Sequence, residues 1–153
     1  MKISQRNYMQ NSLLEQEPLF RTRPERLVVV PPDPEFVKYY DAYKKAVGSF
    51  WTVEEVTLDQ DRTDWDKLDE DTKFLLENML AFFSGADFIV NANLAENFMK
   101  KFSHIPEIGC FLGFQIAIEN IHNEMYGQLI HTLIPKLSRR DELANAVHNL
   151  PNI

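Results

Sequence analysis

The sequence predicts an all-α fold, a helical bundle dominated by two long helices. Three observations lead there. Apolar residues recur at helical spacing over residues 69–101, among them Phe74, Leu75, Met79, Phe82, Phe83, Val90, Leu94 and Phe98. A second apolar-rich stretch is framed by Pro106 at its start and Pro135 just past its end, the positions at which a helix tolerates proline. Strand-like alternation is absent apart from a short stretch at residues 28–30.

Taken in order, residues 1–33 read as an irregular arm. They are polar at first, and then Pro18, Pro24, Pro31 and Pro32 interrupt any long helix, leaving room for a short extended piece at residues 28–30. The helical domain is expected over residues 34–153. Its first helix covers residues 34–48, with Pro34 near the first turn and Gly48 as the stop. SFWTVEEVTL comes next as a turn or short helix. DQDRTDWDKL reads as a polar loop with one helical turn, inside a solvated charged stretch that reaches Asp71. The long helices span residues 69–101 and 106–134. SRRDELANAVHNL closes the chain as a short helix, with Ser138 as N-cap and Asp141 at the third helical position.

At 153 residues, 44% of them hydrophobic, the chain makes one domain with a real core. A net charge of −7 argues against an electrostatic grip on nucleic acid; Arg139 and Arg140 make only a short basic patch. No stretch reaches the ~18 apolar residues needed to span a bilayer, so no membrane association is expected. MKISQRNYMQNSLLEQ lacks the apolar centre of a secretory signal. Cys110 is the only cysteine. It excludes an intrachain disulfide, fits the reducing cytoplasm and reads as a small buried hydrophobe.

The chemistry concentrates in ENIHNEMY. At about 100° per residue, Glu119, His122 and Tyr126 fall within roughly 60° of one helix face. A carboxylate and an imidazole one turn apart can grip the same metal ion, and the phenol one turn further would lie close to it. Asp87 adds a second carboxylate from the other long helix. Its same-face neighbours are Leu80, Phe83, Val90 and Leu94, so it sits inside an apolar stripe. A buried ionised carboxylate is costly unless it is paired or bound to metal. Glu-x-x-His on a bundle helix, with single carboxylates from neighbouring helices, is the ligand pattern of di-iron and di-manganese carboxylate proteins.

A solvent-facing i, i+3 pair is the plainer reading of Glu119 and His122, but FLGFQIAIENIHNEMYGQLIHTLI is apolar on nearly every side. Carboxylate and imidazole suit iron or manganese, whereas zinc more often draws thiolates or several histidines. The phenol points to redox chemistry rather than storage. Taken singly, Tyr126 would be a buried, hydrogen-bonded tyrosine. Trp51 and Trp65, with Phe82 and Phe83, would be core, and His104, His131 and His148 would be surface or core residues.

With these residues in view, the chain resembles the small, radical-bearing subunit of class I ribonucleotide reductase. The resemblance covers about residues 17–153 and rests on EPLF, YKKAVGSFWTVEEV, LAFFSGADFIVNANL and FQIAIENIHNEMYGQLI. It implies the ferritin-like di-metal carboxylate bundle. Carried over by position, it makes Asp87, Glu119 and His122 metal ligands, Tyr126 the radical-forming tyrosine and Trp51 the tryptophan of the electron-transfer route. It also implies two iron ions per site, with manganese as the alternative.

The implied partners are the large catalytic subunit and either a second copy or a chain supplying what is missing here. A complete small subunit adds two further Glu ligands, a second Glu-x-x-His, the aspartate linking histidine to tryptophan and a docking tail. None of these comes after NLPNI, so the sequence reads as the N-terminal half of such a subunit. The implied activity is reduction of ribonucleoside diphosphates for deoxyribonucleotide supply, and this chain alone is not expected to carry it out. Other readings are a non-catalytic remnant that pairs with an intact small subunit, a di-metal oxidase of the same fold, and a site shared across two copies.

Overall fold

The computed structural model describes residues 17–146. Every regular element among them is helical. Residues 17–33 form turns and irregular chain, and no strand forms at residues 28–30. Five α-helices come after them: α1 (Val37–Val47), α2 (Asp59–Trp65), α3 (Glu70–Asn93), α4 (Pro106–Leu133) and α5 (Leu137–Ala144). A 3-10 turn at Val53–Glu55 links α1 to α2.

The helix limits arise from local chemistry. Asp69 caps α3 by accepting the Thr72 amide at 2.8 Å, satisfying one of the donors left free at a helix start. Pro106 occupies the first turn of α4, and the chain turns extended at Ile134, just before Pro135. α1 starts later than expected and ends at Gly48 as expected.

Past Asn93, α3 continues through a π-helical stretch, Leu94–Met99, into a last turn at Lys100–Phe102. Apolar spacing did not reveal that stretch. One extra residue per turn rotates the helix beyond it, and here Leu94, Met99 and Phe102 all reach the same apolar cluster.

α3 and α4 form the spine and run antiparallel, as shown by Ser84 bonding Asn123, Asn91 bonding Asn120, and Met99 lying against Gly113. Apolar clusters close the two ends of the pair. One gathers Trp65, Ala81, Ile130, Leu133, Ile134 and Leu143. The other joins Phe36, Leu94, Ile105, Ile108 and Leu112. Residues 87, 119 and 122 lie between them along the spine.

Four expectations need correcting. The charged stretch holds a two-turn helix, α2, because Trp65 at its end is buried in the core. Ser138 is not an N-cap: α5 begins at Leu137, and Lys136 precedes it without a side-chain cap. Phe82 and Phe83 are exposed, as are Phe74, Leu75, Met79, Ile89 and Val90. The helical period was right, but within this chain α4 covers only one side of α3. Against the expectation that no stretch is long and apolar enough for a bilayer span, Glu70–Phe102 is so by length and composition. Ser84, Asp87 and Asn91 interrupt it on the side facing α4. Residues 1–16 and 147–153, including His148, lie outside the described residues.

Candidate metal centre

Asp87 projects from the middle of α3, and Glu119 and His122 from the middle of α4. One ligand atom from each can be chosen so that all lie within 4.8 Å of one another. His122 Nδ1 stands 3.2 Å from Glu119 Oε2, so the imidazole nitrogen and the carboxylate face the same point. Asp87 Oδ2 is buried and has no hydrogen-bond partner, an expensive state for a carboxylate oxygen. Burial first, and then the Glu119 carboxylate, push the Asp87 carboxyl above its usual range, while His122 pulls the other way. An orphaned acceptor beside a second carboxylate and an imidazole is a donor set that fits a divalent cation of the iron or manganese type.

Tyr126 lies one turn beyond His122, and the Phe83 ring packs face to face against it. Burial raises the phenol above its ordinary value, and the charges of Asp87 and Glu119 add to that. The hydroxyl therefore stays protonated well past neutrality. Trp51 also reaches the cluster, its ring centroid 5.9 Å from that of His122. It is held there by its surroundings. Glu55 accepts the Thr52 amide at 3.1 Å, and Tyr43 and Phe50 both meet Phe114 of α4 edge-on.

All five residues singled out in the sequence thus converge on one region. Trp65, read as core, is core. His131 sits beside Arg140 at 3.2 Å, and His104 is exposed. Cys110 is free and partly buried.

The model of the family "Ribonucleotide reductase, small chain" matches residues 30–153. The chain belongs to the ribonucleotide reductase small-chain family. Among similar proteins, the ribonucleoside-diphosphate reductase small chain of vaccinia virus (strain Western Reserve) is 46% identical over 138 residues, covering 88% of this chain and 41% of its own length. The zebrafish (Danio rerio) ribonucleoside-diphosphate reductase subunit M2 is 44% identical over 141 residues, covering 90% and 35%. The ribonucleotide reductase Rnr4 homodimer from Saccharomyces cerevisiae superimposes with a TM-score of 0.74 at 34% identity, covering 92% of this chain and 44% of that one. The fold is therefore that of the small subunit, and the chain spans about two fifths of the length of these relatives.

Sequence reasoning missed several residues that shape the site. Phe83 was assigned to the core. Its place on the face of Asp87 was read from the spacing, but the stack it makes with Tyr126 was not. Asn91, Asn120 and Asn123 were passed over. Asparagines within apolar helices are unusual enough to have drawn notice.

Proposed function

We propose that this chain acts as part of a small subunit of ribonucleoside-diphosphate reductase, serving with a large catalytic subunit in the reduction of ribonucleotides to deoxyribonucleotides. The observation that carries the reading is the convergence of Asp87, Glu119 and His122 on one point, with Asp87 Oδ2 left unpaired. These residues would hold one metal ion of an iron or manganese pair. When bound, the pair supplies O₂-activating one-electron chemistry. Tyr126 is the store for the oxidising equivalent, giving up one electron and its hydroxyl proton. Phe83 covers one face of that phenol, and Trp51 offers an electron route by way of the His122 ring.

We read residues 1–33 as an arm and residues 34–153 as the N-terminal part of a bundle completed by another segment or chain. The exposed side of α3 supports this, because Phe82, Phe83, Ile89 and Val90 continue the apolar surface beside the ligands. The same surface supports a second reading, a non-catalytic partner that docks on an intact small subunit.

Titration of the chain with Mn²⁺ or Fe²⁺, alone and with a co-expressed C-terminal segment from a homologous small subunit, tests the first reading. Saturable binding that disappears in Asp87→Asn and His122→Ala is the expected result, with nucleotide reduction only in the completed subunit. Binding that survives both substitutions rejects the site. Metal-free association with an intact small subunit would favour the non-catalytic partner.

A further inference from the structure

Two side-chain amides tie α3 to α4, and they bracket the ligand cluster. The Asn123 Nδ2 group donates to the Ser84 carbonyl at 2.7 Å. The Asn91 Nδ2 group donates to Asn120 Oδ1 at 2.6 Å. On α3 the anchor points Ser84 and Asn91 lie about one turn before and one turn after Asp87, and all three share an arc of roughly 60° facing α4. On α4 the partners are immediate neighbours of the ligands, Asn120 next to Glu119 and Asn123 next to His122.

Apolar contact does not fix such a register by itself. Burial of apolar surface is non-directional, and the apolar clusters that hold α3 against α4 lie towards its ends. A slip of one turn moves a residue about 5.4 Å along the axis, further than the 4.8 Å within which the ligand atoms converge. A polar side chain bonded across a helix interface is a well-attested way of specifying register; here the Asn123 bond is partly buried and the Asn91–Asn120 bond is solvent-exposed.

We infer that Asn123, paired with the Ser84 carbonyl, and Asn91, paired with Asn120, are positioning residues that set the register placing Asp87 opposite Glu119 and His122. Each pins α3 one turn away from Asp87, so the carboxylate is held from both sides without either amide touching the cation. The inference rests on the proposed metal site for its functional meaning, but the register itself is a property of the metal-free chain.

The experiment compares the full chain with Asn123→Ala, Asn91→Ala, the double variant, and Asn123→Gln as the conservative change. Three readouts are needed. Calorimetric Mn²⁺ titration reports the ligand set. Nuclear Overhauser contacts between the Phe83 and Tyr126 rings report the register without metal. Thermal unfolding reports stability. The expected result is a loss of Mn²⁺ affinity of about tenfold or more in the double variant, as when groups that orient ligands are removed. Weakened Phe83–Tyr126 contacts, a largely preserved unfolding midpoint and partial rescue in Asn123→Gln should accompany it. Unchanged ring contacts in the double variant overturn the inference, whatever happens to stability. If the unsubstituted chain binds no Mn²⁺, the metal reading fails while the ring contacts still decide the register.

Discussion

The Phe83 and Tyr126 rings stack, with centroids 5.5 Å apart and planes 17° from parallel. Phe83 comes from α3, four residues before Asp87, and Tyr126 from α4, four residues after His122. The stack therefore joins the two ligand-bearing helices and shields one face of the phenol from water. Burial is the foremost cause of the raised phenol pKa, so Phe83→Ala should bring Tyr126 ionisation back towards its ordinary value of 10.0. Ultraviolet titration of the metal-free chain, with Tyr126→Phe as the blank, measures this directly.

In a completed, metal-loaded subunit, an O₂-dependent organic radical should appear in the electron paramagnetic resonance spectrum. It should be missing in Tyr126→Phe, with metal content retained. A radical unchanged in that variant would place the oxidised residue elsewhere. Trp51→Phe should leave metal binding intact and slow radical formation or transfer.

Asp87→Asn should cost Mn²⁺ affinity at least about tenfold, the scale seen when even groups that merely support a ligand are removed. It should not destabilise the metal-free chain at neutral pH. The folded-state carboxyl titrates above its unfolded value. Any stability it contributes is therefore fully present only below the unfolded pKa and is lost as pH rises through the folded one. Urea unfolding at pH 7 checks the sign: a marked loss of stability in Asp87→Asn would show that the carboxylate is already well paired without metal.

Glu107 behaves oppositely. It is fully buried, and one of its oxygens accepts both Arg26 and the Asp33 amide. Burial alone would raise its pKa, but Arg26 and that amide more than offset the effect and hold it below 4.5. Its contribution to stability is thus present above pH 4.5 and falls away as acid carries the pH through the lowered value. Glu107→Ala should cost about 1–3 kcal/mol, as expected when the partners of a buried hydrogen-bonded group are left unsatisfied. The part of the acid destabilisation due to Glu107 should vanish with it in a urea series across pH 3–7.

The uncovered side of α3 predicts self-association. The chain alone should elute as oligomers in size-exclusion chromatography at micromolar concentration, because a large contiguous apolar patch is unusual on a free monomer. Ile89→Asp or Phe82→Glu should shift it towards the monomer. Co-expression with a C-terminal segment should do the same without substitution. A monodisperse monomer that supports nucleotide reduction unaided would show that no completing segment is needed.

How far the sequence carried the reading depended on the kind of interaction involved. The spine was legible because helical period, Asp69, Pro106 and Pro135 are local signals. The ligand set was legible because Glu119, His122 and Tyr126 share a helix face, and because Asp87 is anomalous in an apolar stripe. Tertiary cover was not legible. Phe82 and Phe83 read as core by their apolar character, yet only Ala81 beside them is buried, while Phe82 and Phe83 stay exposed in this chain. Nor could spacing show that α2 forms because Trp65 is buried, or that Arg26 finds Glu107. Such pairings depend on partners far along the chain.

The union of Arg26 with Glu107 spans 81 residues, and this gives the arm a place in time. During synthesis at about 5–20 residues per second, Arg26 waits on the order of 4–16 s before its carboxylate partner is made. Until then the arm has its contacts with Glu35, Phe36 and Phe102 but not its buried carboxylate anchor, and α4 has not begun. The arm is therefore fastened at Arg26 only when the start of the helix bearing Glu119, His122 and Tyr126 has formed, as a latch that closes after the door is hung.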